Sequence, residues 1–169
     1  AVYGCNIGTD GFGADKGNGG TGLIAQYATG LTIGSTNSVD SNRICYNGDY
    51  GIAAISCDGI KIRKNDINFN RVGIIIENTT GGIIGSGGIS GRNYIGHNDM
   101  AGVRCIASDS ITITSNYIGL DRDGMTAAGN GEYGIHLYRT NNCLIGGTYS
   151  TLANIICGNT LSGLQIEEC

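Results

Sequence analysis

The sequence predicts an all-β solenoid: a parallel β-helix of three sheets, with six to seven coils of about 22 residues plus loop insertions. Three observations lead there. The first is a long repeat. Ile33-Gly34 runs on to Asn42, Ile44, Asn47 and Gly51-Ile52, and the same spacings recur from Ile84-Gly85 and from Ile145-Gly146, offset by 51 and then 61 residues. The second is a shorter repeat inside it. A glycine opening an alternating apolar run recurs at Gly22, Gly51, Gly73, Gly102, Gly134 and Gly163, at spacings of 29, 22, 29, 32 and 29 residues. The third is the period within each run. Asp58 to Arg63 and Asp109 to Thr114 alternate in and out with period 2, which is strand chemistry.

Each part of the coil has its own justification. The 22-residue spacing holds three strands of about four residues and three turns. Residues 1–169 therefore form a single solenoid domain, with units of approximately 7–66, 67–117 and 118–169. Glycine between the strands supplies positive φ or room for a neighbouring backbone. Asn42, Asn65, Asn93, Asn116 and Asn154 each precede an isoleucine by two residues. They are expected at turns, because asparagine tolerates the left-handed region, and their amides are expected to stack as a ladder from coil to coil. The middle unit passes directly from Ile67 to Gly73, whereas segments 8–21 and 119–133 carry about ten extra residues. Those two loops are expected to protrude beside the first and third units, where solenoids often carry interactions.

Composition narrows the function. The 169 residues include 31 glycines, no proline and no tryptophan, and only 14% are charged. A chain without proline keeps its backbone donors for ladders. The net charge of −4 offers no basic field to nucleic acid. No apolar run approaches the roughly 20 residues of a membrane span. The chain opens on Ala-Val-Tyr, as a processed chain or an excised piece would. The seven cysteines include no CxxC pair. Cys105 and Cys143 fall on apolar template positions and read as core filler. The others, with Cys45 matching Cys157 and Cys57 matching Cys169, suggest an oxidising compartment with some disulfides.

Asn116 to Asp121, Gly129 to Ile135, Cys143 to Thr148 and Asn154 to Asn159 resemble the right-handed parallel β-helix repeats of microbial surface and secreted proteins in the pectate-lyase-like superfamily. The likeness covers essentially the whole chain and is specific for fold. The superfamily spans lyases, hydrolases, adhesins and tailspikes, so it leaves function open. It implies that a lyase would need an acidic calcium cluster with an Arg or Lys base, and a hydrolase paired carboxylates.

No catalytic constellation is legible on its own. Asp121 and Asp123, with Asp10, are weak calcium candidates, because a calcium site needs six or more oxygen ligands. No other cofactor is suggested. Lys61 and Arg63 read as an outer charged face, together with Lys64 and near Asp66. His97 follows a turn glycine, and His136 alternates outward between Ile135 and Leu137. Asn78-Thr79-Thr80 is a glycosylation sequon at a surface turn.

The ends guide the expected function. Both termini are in strand pattern, with no capping element in the sequence. By template phase, a second copy placed after Cys169 resumes the pattern at Ala1 with about three residues missing. Ala1, Val2, Tyr3, Cys5, Leu164, Ile166 and Cys169 would form the junction. The sequence-based expectation is a non-enzymatic, extracellular or cell-surface subunit that stacks head to tail on itself as a filament. The alternative is a module of a larger surface adhesin or carbohydrate-binding protein. A polysaccharide lyase or glycoside hydrolase is the least favoured reading.

Overall fold

A computed structural model of the chain describes residues 1–37 and 41–169. The chain winds as a right-handed parallel β-helix, the fold expected from its repeats. Sheet I stacks β1 (Asn6–Ile7), β4 (Arg43–Cys45), β7 (Asp66–Asn68), β10 (Tyr94–Gly96), β13 (Tyr117–Ile118) and β16 (Ile155–Ile156). Sheet II stacks β2 (Leu23–Gln26), β5 (Tyr50–Ile55), β8 (Val72–Glu77), β11 (Val103–Ile106), β14 (Tyr133–Tyr138) and β17 (Ser162–Glu167). Sheet III stacks β3 (Thr32–Gly34), β6 (Lys61–Arg63), β9 (Ile83–Gly85), β12 (Thr112–Thr114) and β15 (Leu144–Ile145), and an isolated bridge from Val2 to Ile33 extends it by one level. All the pairings between these strands are parallel, so the chain visits sheets III, I and II in turn and rises one level per coil.

The interior is a set of aligned apolar columns. Ile44, Ile67, Ile95 and Ile118 stack in sheet I, Ile33, Ile62, Ile84 and Ile113 in sheet III, and Ile52, Ile74, Val103 and Ile135 in sheet II, all fully buried. Burying one isoleucine contributes about 2 kcal/mol, and the register repeats that gain at every level. Cys105 lies in this core as expected, and its thiol is pushed up by complete desolvation.

The corners are polar inside. At the turn from sheet III to sheet I, the amide of Asn42 donates to Asn65 Oδ1 (2.8 Å), Asn65 to Asn93 (3.0 Å), Asn93 to Asn116 (2.9 Å) and Asn116 to Asn154 (3.0 Å). These amides stack from coil to coil as one column. A second column fills the turn from sheet I to sheet II, where Asn47, Asn70, Asn98, Asn130 and Asn159 repeat the pattern at 2.8–3.2 Å. The third corner uses hydroxyl and thiol groups: Thr79 Oγ1 accepts the N–H of Cys57, Ser108 Oγ that of Thr79, and Cys169 Sγ that of Thr140.

One expectation about these asparagines needs correcting. None of the ladder asparagines is left-handed; the residue before several of them is, as at Lys64, Ser115, Tyr46, Phe69 and His97. The left-handed residue swings the chain around the corner, and the next side chain then points into the column.

The expected disulfides are absent: none of the seven cysteines is paired. Repeat positions explain this. Cys45 and Cys157 occupy equivalent sites four levels apart in sheet I, as do Cys57 and Cys169 in their corner, so each pair is separated by roughly 19 Å along the axis. A disulfide needs Cα atoms within about 7 Å.

Candidate functional site

Sheet II has the longest strands, and its outer face changes character along the axis. The outward row reads Ala53, Ile75, Arg104, His136, Gln165, each opposite the next in register. Ala53 and Ile75 are almost closed off from solvent despite facing out, so the face is recessed there. A cavity of about 210 Å³ opens beside Arg104 and His136 of this row. Val72, Met100 and Ala101 give it an apolar side, and Arg104, Glu132, Tyr133, His136 and Glu167 converge from the other.

The geometry of these groups is specific. His136 is only 7% exposed. Its Nε2 lies 3.4 Å from Glu167 Oε2, and its ring packs 4.9 Å from that of Tyr133 and 6.5 Å from that of Tyr138. Hydrogen bonds from Gln165 and His136 hold the Glu167 carboxyl below its ordinary range, so it stays ionised and orients the imidazole. Arg104 Nε is buried without a hydrogen-bond partner. An unused buried donor costs about 1–3 kcal/mol, and Arg63 Nε is buried in the same way. Cation, imidazole, phenol and carboxylate thus share one recess, a set of groups able to hold an anion and to give or take a proton.

Sequence reasoning noted that His136 points out, but it assigned no role to Arg104, Tyr133 or Glu167. The signal was present in the coil spacing: 32 residues separate both Gly102 from Gly134 and Arg104 from His136, which puts the two side chains one level apart.

The residues singled out from sequence fall elsewhere. Asp10 Oδ1 accepts the N–H groups of Phe12 and Ala14 at 2.9 Å each. Asp123 Oδ1 accepts those of Met125 and Thr126 at 2.8 Å each, and Asp121 Oδ1 accepts that of Arg122 at 2.6 Å. Backbone hydrogen bonds lower the Asp10 carboxyl, and the Thr126 hydroxyl, with the backbone N–H groups of Thr126 and Met125, lowers that of Asp123. These carboxylates organise their own loops, and among the described residues no three His, Cys, Asp or Glu side chains come together as a metal site. They do not fit a calcium ion. Asn78 is exposed, with φ of 49°, at the corner between sheets II and III, where a glycan would project freely. The proposed junction residues lie on the outermost coils, with Tyr3, Leu164 and Ile166 exposed. His97 stands on the outer side of sheet I, stacked on Phe69. Among the described residues no helix is long and apolar enough to cross a membrane.

No protein-family model and no curated protein matches the chain. Two solved structures are similar to it. An alginate lyase from Paenibacillus sp. str. FPU-7 aligns with 89% of this chain and 49% of its own, at 20% identity and a TM-score of 0.48. The periplasmic alginate epimerase AlgG aligns with 89% of this chain and 41% of its own, at 16% identity and a TM-score of 0.35. The chain spans about half the length or less of these structures.

Proposed function

We propose that the chain recognises an acidic polysaccharide on the outer face of sheet II, with Arg104 taking the carboxylate of one uronate unit in the recess shared with His136 and Tyr133. The observation that carries this reading is the unpartnered Arg104 Nε beside a buried, Glu167-oriented imidazole. The same groups suit β-elimination. A guanidinium on the carboxylate acidifies the neighbouring C5–H bond. His136 takes that proton, the C4–O4 bond breaks, and Tyr133 protonates the leaving O4, which yields an unsaturated uronide. Such polymers are wall and matrix components, and this reading sets the chain outside the cytoplasm.

Calorimetric titration with oligogalacturonate and oligomannuronate tests binding, and ultraviolet absorbance of the unsaturated product tests elimination. Arg104→Gln is expected to weaken binding about tenfold, or ~1.4 kcal/mol. Equal affinity in the variant, or no binding of either probe by the parent chain, would sink the reading. Binding without ultraviolet product would leave a recognition module.

A second reading concerns the outermost coils. Cys169 occupies the level after Thr140, and Val2 pairs with Ile33. The pattern of a stacked copy therefore resumes three residues after Cys169. Leu164 and Ile166, in register with buried Ile135 and Leu137, present apolar area at one end, and Tyr3 is exposed at the other. Head-to-tail stacking by strand addition would cover both ends. Cys5 holds the first ladder's place at one end, where a seam would find a thiol in place of an amide, so the seam is weaker than the interior. Electron microscopy of the 169-residue chain at high concentration is expected to show thin fibres that dissociate on dilution; monodisperse monomers at about 100 μM would rule the stack out.

A further inference from the structure

The outer face of sheet I carries an arrangement that the sheet II recess does not use. Gly13 of loop 8–21 and Asp121 and Arg122 of loop 119–133 come to this face. Arg43, Asp66, Tyr94 and Tyr117 form one row in register. Asp66 is only 4% exposed. Its Oδ2 lies 3.5 Å from Nε of Arg43 and 3.1 Å from Nε of Arg122, and the Asn68 amide donates to Oδ1. Arg122 belongs to the second loop, beyond β13, and reaches back two levels to make this contact. Its Nε is thereby committed, which fixes the guanidinium while the terminal nitrogens stay available. Burial raises the Asp66 carboxyl above its ordinary range against the pull of Arg122, and its contacts with Arg43 and Arg122 tie both guanidinium groups to this face.

Beside this row runs a column of rings. Tyr46, Phe69 and His97 stack with centroids 4.9 and 4.7 Å apart and planes within 5° of parallel. All three residues are left-handed, with φ of 60°, 56° and 52°. That backbone costs a β-carbon residue about 1–2 kcal/mol, and here it recurs at three successive levels, each with an aromatic ring. Phe69 remains substantially exposed. Two cavities, of about 170 and 210 Å³, share Arg122 as a wall. The first holds Arg43, Asp66, Phe69, His97 and Asp121, and the second Ser41, Lys64 and Tyr94. Three cations, Arg43, Lys64 and Arg122, face two carboxylates, Asp66 and Asp121, so the groove is locally basic on a chain of net charge −4.

We infer that this loop-walled groove is a second binding site for an acidic saccharide. Lys64 and the terminal nitrogens of Arg122 take the anionic group, while Tyr94 and the exposed edge of the Tyr46–Phe69–His97 stack wall the sugar on either side. Two sites on adjacent sheets would let one long polymer engage the solenoid twice and raise its avidity without new contacts. The inference rests on the sheet II reading only for the choice of probe.

The test is amide NMR on the labelled chain, titrated with a short oligogalacturonate and then with the polymer. Amide shifts are expected at Lys64, Phe69, Tyr94 and His97. Lys64→Gln and Phe69→Asn, the latter chosen because asparagine tolerates the left-handed backbone, are each expected to weaken polymer binding about fivefold or more, with the folded spectrum retained and the Arg104 shifts unchanged. Shifts confined to sheet II would overturn the groove and keep the recess. Shifts confined to sheet I would keep the groove and overturn the recess. Silence on both faces would overturn both.

Discussion

Asn93→Asp is expected to destabilise the chain by at least about 4 kcal/mol, because it places a carboxylate where two donors are required, at a site with no solvent access. Asn93 Oδ1 accepts both the N–H and the amide of Asn65, at 2.9 and 3.0 Å. Its Nδ2 donates to Ile62 O and to Asn116 Oδ1, both at 2.9 Å. Aspartate keeps the accepting half and turns the donating half into a second oxygen, which then faces two more oxygens. The defect sits mid-stack, and in a quasi-one-dimensional fold the coils on either side lose a neighbour together. Denaturant midpoints measure it. The matched control is Asn6→Asp, the same change at an exposed position, expected to stay within about 0.5 kcal/mol. Acid should shrink the Asn93→Asp deficit, since protonation removes the buried charge and restores one donor. A deficit below 1 kcal/mol would mean that the amide column is not what holds this corner.

Gly85→Ala is expected to cost more than about 3 kcal/mol for a different reason. Gly85 has φ of +94°, and a Cβ there would lie 1.8 Å from the carbonyl oxygen of Thr114. That oxygen belongs to β12, which pairs with β9 at this residue, so it cannot retreat without parting the sheet. Gly4 separates the two contributions. It has φ of +67° and nothing within 4 Å of a β-carbon, so Gly4→Ala bears the conformational strain alone, about 1–2 kcal/mol. Thermal melts of the two variants give the cost of the clash as their difference; equal melting temperatures would refute it.

The rung was legible because every level repeats the same demands. Ile44, Ile67 and Ile95 recur with their asparagines at fixed offsets, and no competing period fits them. The second amide column was half visible: Asn47, Asn98 and Asn159 belong to the repeat, yet nothing in one sequence distinguishes a buried turn asparagine from an exposed one. The left-handed residues were illegible. Lys64, Phe69 and His97 have no compositional mark of positive φ; the corner geometry imposes it on whichever side chain stands there. The sites were illegible for a related reason. Arg104, His136 and Glu167 are roughly a coil apart in sequence, so their meeting depends on coil lengths that vary between 22 and 32 residues. Arg122 reaches Asp66 only through an insertion whose path no periodicity dictates. The disulfide expectation failed on the same ground, since repetition separates equivalent positions along the axis.

The amide columns have a direction. In both, each side chain donates toward the C-terminal level and accepts from the N-terminal one. Each column is therefore a vector: flipping one of its amides would set donor against donor on one side and acceptor against acceptor on the other, so a column can reverse only as a whole.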